Sequence, residues 1–96
     1  MVAFVRARLD EDEARARRVQ AALDDGWNYF DETPTELIDP ARALREVEAK
    51  RDILTAYVKI ETDGHRDNGW IALRFAVETL AAIWSDHPDF RPEWAP

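Results

Sequence analysis

The segment from Trp70 to Trp84 constrains the fold more than any other part of the chain. Its sequence is WIALRFAVETLAAIW, in which Arg74 and Glu78 are the only charged side chains. One apolar line follows it at steps of three and four residues, the spacing of a helix face: Trp70, Leu73, Val77, Leu80 and Trp84. A second line falls on other faces: Ile71, Phe75, Ala76 and Ile83. Because a helix that is apolar nearly all round must be covered nearly all round, the rest of the chain or a second copy has to pack against it.

Two further helices are predicted, over about residues 2–24 and 40–62, with the apolar segment forming a third over 69–85. The first has an apolar stripe formed by Val2, Val5, Leu9, Ala16, Val19 and Leu23, and the second has one formed by Leu44, Val47, Leu54 and Val58. Asp39 followed by Pro40 is typical of a helix start, because the carboxylate accepts first-turn N–H groups and proline needs no donor there. Gly64 is expected to end the second helix.

The predicted fold is all-α: a three-helix bundle in a single domain, residues 1–96, with the third helix at its centre. Short connections make neighbouring helices antiparallel. The C-terminal tail, residues 86–96, contains Pro88, Pro92 and Pro96, which prevent a continuous helix. Since Phe90 and Trp94 lie between these prolines, we expect the tail to pack back across the third helix. Aromatic residues in the connection over 26–38 are expected to close one end of the core.

The composition excludes several classes of function. The chain has 96 residues, a net charge of −7 and no cysteine. An acidic surface repels phosphate groups, so direct binding to nucleic acid or to an anionic membrane is not expected, whereas a basic protein partner is compatible. Without cysteine there is neither a disulfide nor a thiolate metal site. No signal peptide is recognised, and the apolar segment is shorter than the roughly 20 residues that span a bilayer. A cytoplasmic protein is therefore expected.

Three segments, FVRARLDEDEARA, DPARALREVEAKRDIL and DHPDFRPEW, resemble a family of small uncharacterised proteins of actinobacteria and their phages. The resemblance covers about half of the chain and implies a bacterial or phage setting in the cytoplasm. It implies no activity and no catalytic residue. Many family members carry cysteines between the second helix and the tail that look like metal ligands. Because this chain has none there, no metal or other cofactor is carried over from the resemblance.

Asp12 and Arg51 are each the one polar break in an otherwise apolar stripe. Since both lie near the middle of antiparallel helices, we expect them to form a structural ion pair that fixes the register of the first two helices. The alternative is that Arg51 binds an anion. The acidic run Asp10–Glu13 is interpreted as a solvated face paired with neighbouring arginines, because four consecutive helical residues point in four directions.

No catalytic constellation can be assembled from the sequence, so we do not expect an enzyme. His65 and His87 lie in turns, without the spacing of a helical zinc motif. We expect a protein-protein interaction module, in one interpretation phage-encoded and aimed at a host protein. The candidate partner-binding residues are Phe75, Trp84, Phe90 and Trp94, on the uncovered face of the third helix and in the tail. The same face is suited to a homodimer. The alternative function is an acidic mimic of nucleic acid that blocks a basic DNA-binding protein.

Overall fold

The computed structural model describes residues 1–25 and 39–95 of the chain. Within these ranges α1 is Val2–Asp24, α2 is Pro40–Asp63 and α3 is Asn68–Ala81. Short 3-10 turns follow at Ala82–Trp84 and Pro92–Trp94, and the described ranges contain no β-strand. The prediction of an all-α protein with three packed helices is confirmed. The predicted connection over 26–38 lies outside the described residues, as does Pro96.

Local signals in the sequence position both ends of α2. The Asp39 carboxylate accepts hydrogen bonds from the backbone N–H groups of Ala41 and Arg42, at 3.1 and 3.4 Å. Pro40 occupies the first turn, where the missing N–H costs nothing. At the other end Gly64 has a φ of 76°, a left-handed conformation that glycine adopts without the strain a Cβ would add.

The third helix is shorter than its apolar pattern. The side chain of Asp67 caps its start by accepting from the backbone N–H of Trp70 at 3.1 Å. The α-helix ends at Ala81, and the chain continues to Trp84 as a 3-10 turn. The apolar spacing predicted helix as far as residue 85, because an apolar pattern does not separate an α-helix from a tighter final turn.

The core lies where the three helices meet. Val5, Leu9 and Val77 are its largest fully buried side chains, and all three belong to the predicted stripes. The other buried apolar residues are Phe4, Ala16, Val47, Leu54, Tyr57 and Ala81. α2 packs along both neighbours, whereas α1 and α3 meet over a shorter stretch. The central element is thus α2, and the prediction that the third helix is central is wrong in this respect.

The tail folds back on the bundle and contacts the start of α1. Phe90 and Trp94 are half-buried and pack against the core. Their rings meet that of Phe4, in the first turn of α1. The aromatic rings of the tail therefore meet α1 at Phe4, a contact that the sequence pattern did not indicate.

None of the helices in the described ranges combines the length and the apolar character needed to cross a bilayer.

Candidate interaction surfaces

Three of the four predicted partner-binding residues lie together around one ring of α1. We call Phe4, Trp84, Phe90 and Trp94 the tail cluster. The centroid of the Phe4 ring lies 6.5 Å from that of Trp84, 6.0 Å from that of Phe90 and 5.2 Å from that of Trp94. The contacts with Trp84 and Phe90 are edge-on, the geometry that aromatic quadrupoles favour. Phe4 is 8% exposed as a result, so these aromatic residues already cover a side chain of their own protein.

A buried arginine borders the tail cluster. Arg8 is 8% exposed, and its guanidinium lies 5.2 Å from the centroid of the Phe4 ring. Its Nη1 contacts Nε2 of His87, and its Nη2 donates to Glu11 at 3.0 Å. Nδ1 of His87 accepts from the backbone N–H of Asp89 at 3.0 Å. The histidine of the tail is thus occupied in joining the tail to α1.

Phe75, the fourth candidate, lies apart from the others on the solvent side of α3. It is 61% exposed, and Ile71 and Ile83 on the same side are 56% and 54% exposed. Between them the hydroxyl of Thr79 donates to the backbone carbonyl of Phe75 at 2.8 Å, which satisfies its polar group within the helix. We call Ile71, Phe75, Thr79 and Ile83 the outer face. The two apolar lines of the sequence therefore differ in role: one enters the core and the other faces solvent.

An ion pair flanks the outer face. Nε of Arg74 donates to Glu78 at 3.0 Å, one helical turn further on. These are the only charged residues between 68 and 84, so this segment is neutral although the whole chain carries −7. The exposed Ala72 lies on the opposite flank. The outer face is thus an apolar strip with a small side chain along one edge and one charge of each sign along the other.

The turn between α2 and α3 is held by polar contacts to Trp70. Its indole N–H donates to Glu61, which also accepts from Arg66 at 2.9 Å. The Arg66 guanidinium lies 4.4 Å from the centroid of the Trp70 ring, within the range of a cation–π contact. The hydrogen bond from Trp70, with the nearby arginines, lowers the pKa of Glu61 below its ordinary value. Trp70 is therefore a structural residue of this turn.

Arg51 joins α2 to α1, but its partners differ from the predicted one. Its Nη2 lies 2.7 Å from Asp10, and its Nη1 lies 3.2 Å from Glu13. The hydrogen bond from Arg51 to Glu13 lowers the pKa of Glu13 below its ordinary value. The predicted Asp12–Arg51 pair is thus wrong: the acids on either side of Asp12 reach the long arginine. No anion other than these two carboxylates is needed to satisfy Arg51.

Asp12 is half-buried beside Lys50 and Arg15. Burial raises its pKa, against the opposing effect of those two cations. The rest of the acidic run is paired: Asp10 with Arg51, Glu11 with Arg8, and Glu13 with Arg17 and Arg51. Carboxylates of this run thus form ion pairs within α1 and between α1 and α2.

In the described ranges no group of three or more His, Asp or Glu side chains is placed to hold a metal ion. His65 is exposed in the turn after α2, far along the chain from the tail that contains His87. The sequence pattern did not point to Phe4 and Arg8, which receive the tail. The signal available was indirect: two large aromatic residues between prolines need an apolar surface on which to pack.

No curated protein and no solved structure matches the chain. One protein-family model matches all of it, over residues 1–96. The chain therefore belongs to a family of unknown function, DUF6221.

Proposed function

We propose that this protein is a non-enzymatic interaction module that binds a protein partner through the outer face of α3. The observation that carries the proposal is the exposure of Ile71 and Phe75 on α3 and of Ile83 in the 3-10 turn that follows it, each more than half accessible to water. Burial of apolar surface contributes about 25 cal/mol per Å². A contiguous apolar strip on an otherwise highly charged surface is therefore a favourable place for association.

The tail supports this assignment by contrast. Trp84, Phe90 and Trp94 contact Phe4 in the same chain, and a partner that bound them would first have to displace these contacts. Phe75 has no such intramolecular cost, because it already faces solvent. Of the four candidates from the sequence, we therefore assign partner binding to Phe75 and the covering of Phe4 to the other three.

The alternative, an acidic mimic of nucleic acid, has less support. A mimic needs unpaired carboxylates ranged along one surface, whereas Asp10, Glu11 and Glu13 are bonded to arginines. An acidic mimic would bind a basic DNA-binding protein with strong dependence on salt. Association through the outer face rests mainly on apolar contacts and would not show that steep loss, so titration of the interaction with sodium chloride separates the two functions.

The setting is also a proposal. We propose an actinobacterial or phage origin and a cytoplasmic location, with a host protein as one class of partner. The support is the resemblance of the three sequence segments described above and the absence of cysteine from the sequence, which suits a reducing compartment.

A photo-crosslinking experiment tests the proposed binding face. A variant with a benzophenone side chain in place of Phe75 is expressed in the cells in which the protein naturally occurs. The matched control carries it in place of Ala49, an exposed residue of α2. We expect a defined protein adduct from position 75 and none from position 49, with mass spectrometry giving the identity of the second chain. Equal labelling from both positions, or no adduct from position 75, would contradict the proposal.

A further inference from the structure

We propose that the partner of the outer face is a second copy of this chain, packed so that two α3 helices run antiparallel across a two-fold axis. This inference rests on the proposed function, because it names the occupant of the same face. Two-fold interfaces are the commonest in soluble homo-oligomers, and they require one patch to be complementary to itself. The outer face and its flanking charges meet that requirement in two separate ways.

The apolar side chains match themselves when the helix is reversed. Ile71, Phe75 and Thr79 follow one another at steps of four residues along α3, and Ile83 continues the row in the 3-10 turn that follows the helix. Such a row packs into the equivalent row of a second copy. In an antiparallel pair centred near residue 77, Ile71 meets Ile83 of the other copy. Phe75 then meets Thr79, whose hydroxyl is already bonded to the backbone of its own helix. No polar group is left unsatisfied along this row.

The charged flank matches itself as well. Arg74 and Glu78 lie on one edge of the outer face, symmetric about nearly the same centre as the apolar row. Reversal of the helix therefore brings Arg74 of one copy opposite Glu78 of the other, and the two-fold axis forms the pair twice. A parallel arrangement would not bring these opposite charges together in the same way.

The net charge of the chain produces little repulsion at the proposed contact between two α3 helices. Each copy carries −7, but the segment 68–84 has one positive and one negative side chain. Most of the acidic residues lie on α1, α2 and the tail, so repulsion acts at longer range and is screened by salt. Ala72 on the other flank is small, which allows the two helices to approach closely.

The size of the face predicts a weak dimer. α3 has 14 residues and is thus about 21 Å long at 1.5 Å per residue. One face of such a helix is smaller than the roughly 800 Å² per partner of a standard interface. We therefore expect a reversible equilibrium between monomer and dimer rather than a permanent assembly.

Sedimentation velocity of the full chain tests the inference. From low micromolar to near-millimolar protein, we expect the mass to rise from 11.1 kDa toward twice that value. Phe75→Glu should keep the protein monomeric throughout, whereas Ala49→Glu, which adds the same charge on α2, should leave the equilibrium unchanged. A monomeric wild type would overturn the inference, and so would a dimer that Phe75→Glu does not weaken.

A charge-exchange experiment tests the antiparallel arrangement. Arg74→Glu places two acids on each flank and Glu78→Arg places two bases there, so each variant alone should dimerise at least tenfold more weakly than the wild type. An equal mixture should form a heterodimer, because acids then face bases at both positions. Circular dichroism shows whether each variant is folded. Failure of the folded variants to associate on mixing would overturn the two-fold arrangement.

The two proposals fail in different ways. A wild type that is monomeric in solution, yet crosslinks from position 75 to a different protein, would refute the second-copy inference and retain the proposed function. A monomer with no adduct from position 75 would refute both. An adduct whose mass is twice that of the chain supports both.

Discussion

The tail cluster and the outer face are both apolar, but one is covered within the chain and the other is exposed to solvent. Both are rich in large side chains, and both were candidate binding surfaces on sequence grounds. At the tail cluster, three aromatic residues cover Phe4, which is 8% exposed. At the outer face, Phe75 is 61% exposed and no described segment covers it. The difference teaches that apolar content identifies surfaces that need covering, whereas the contacts within one chain decide which of them is available to another.

The same substitution in the two regions gives the largest contrast. Phe4→Ala should lower the free energy of unfolding by about 3–4 kcal/mol, because it removes a buried ring and leaves a cavity under the tail. Phe75→Ala should change it by less than about 0.5 kcal/mol, as at other exposed positions. Urea unfolding followed by tryptophan fluorescence measures both. Equal losses from the two variants would break the comparison, since they would place both rings in comparable environments.

Removal of one ring of the tail should have an intermediate effect. Trp94→Ala should cost about 2 kcal/mol, because the indole is half-buried against Phe4 and Phe90 and full burial of such a ring is worth about 3–5 kcal/mol. Hydrogen exchange should become faster in residues 87–95 and remain unchanged in α2. Trp94→Phe, which keeps a ring, should retain most of the protection. A tail that exchanges equally fast in wild type and Trp94→Ala would contradict the assigned covering role.

The ion pairs of Arg51 offer a third test, independent of both apolar surfaces. Arg51→Gln should destabilise the protein by less than loss of the Trp94 ring, because both carboxylate partners are accessible to water. The effect should exceed that of Arg42→Gln, whose single pair with Glu46 lies within one helix. High salt should reduce the difference. A change in the dimer equilibrium would show that the contact between α1 and α2 and the outer face are not independent.

The pH dependence of Arg51→Gln follows from Glu13. Because the folded-state pKa of Glu13 is lowered, its pairing adds stability above the unfolded pKa. That contribution begins to fall below the ordinary pKa of glutamate, about 4.3, and is lost as the pH falls through the lowered folded-state pKa, so the stabilities of wild type and Arg51→Gln should converge in that range. Chemical denaturation at a series of pH values measures this, and a constant difference down to the lowest pH would exclude the mechanism.

The smallest expected effect is at Asp12 and has the opposite sign. Its pKa is raised by burial, so the ionised form is less favourable in the folded protein than in the unfolded chain. Asp12→Asn should therefore stabilise the protein slightly near neutral pH. The gain should shrink as the pH falls through the raised pKa, because the Asp12 carboxylate of the wild type is then protonated and also neutral. Thermal unfolding at several pH values measures it, and a loss of stability at neutral pH would show that Lys50 and Arg15 outweigh burial.

The sequence predicted the helix boundaries well where they are set by residues close together in the chain. Asp39, Pro40 and Gly64 act on the backbone within a few positions, so the boundaries of α2 lie close to the expected ones. Amphipathic spacing likewise identified the line of α3 that enters the core. Periodicity did not show that the backbone tightens after Ala81, because the apolar pattern continues to Trp84.

The partners of Arg51 and the docking position of the tail were not predicted, because they depend on how the helices are rotated and placed against one another. The pattern located Arg51 where α1 and α2 meet, but whether it meets Asp12 or the acids near it depends on the rotation of α1 by a fraction of a turn. The aromatic residues of the tail indicated that it docks, without giving its destination. Phe4 lies outside the predicted stripe of α1, so its role emerges only from the tertiary contacts.

The contact between Phe4 and Trp94 also has a consequence for the order of folding. The helix pairs α1–α2 and α2–α3 form between neighbours in sequence, whereas this contact closes a loop of nearly the whole chain and carries the largest entropic cost of closure. We therefore expect it to form after the main folding barrier. Removal of the Trp94 ring should then accelerate unfolding and leave the folding rate almost unchanged. In the wild type, the docked tail would therefore slow unfolding without affecting the rate of folding.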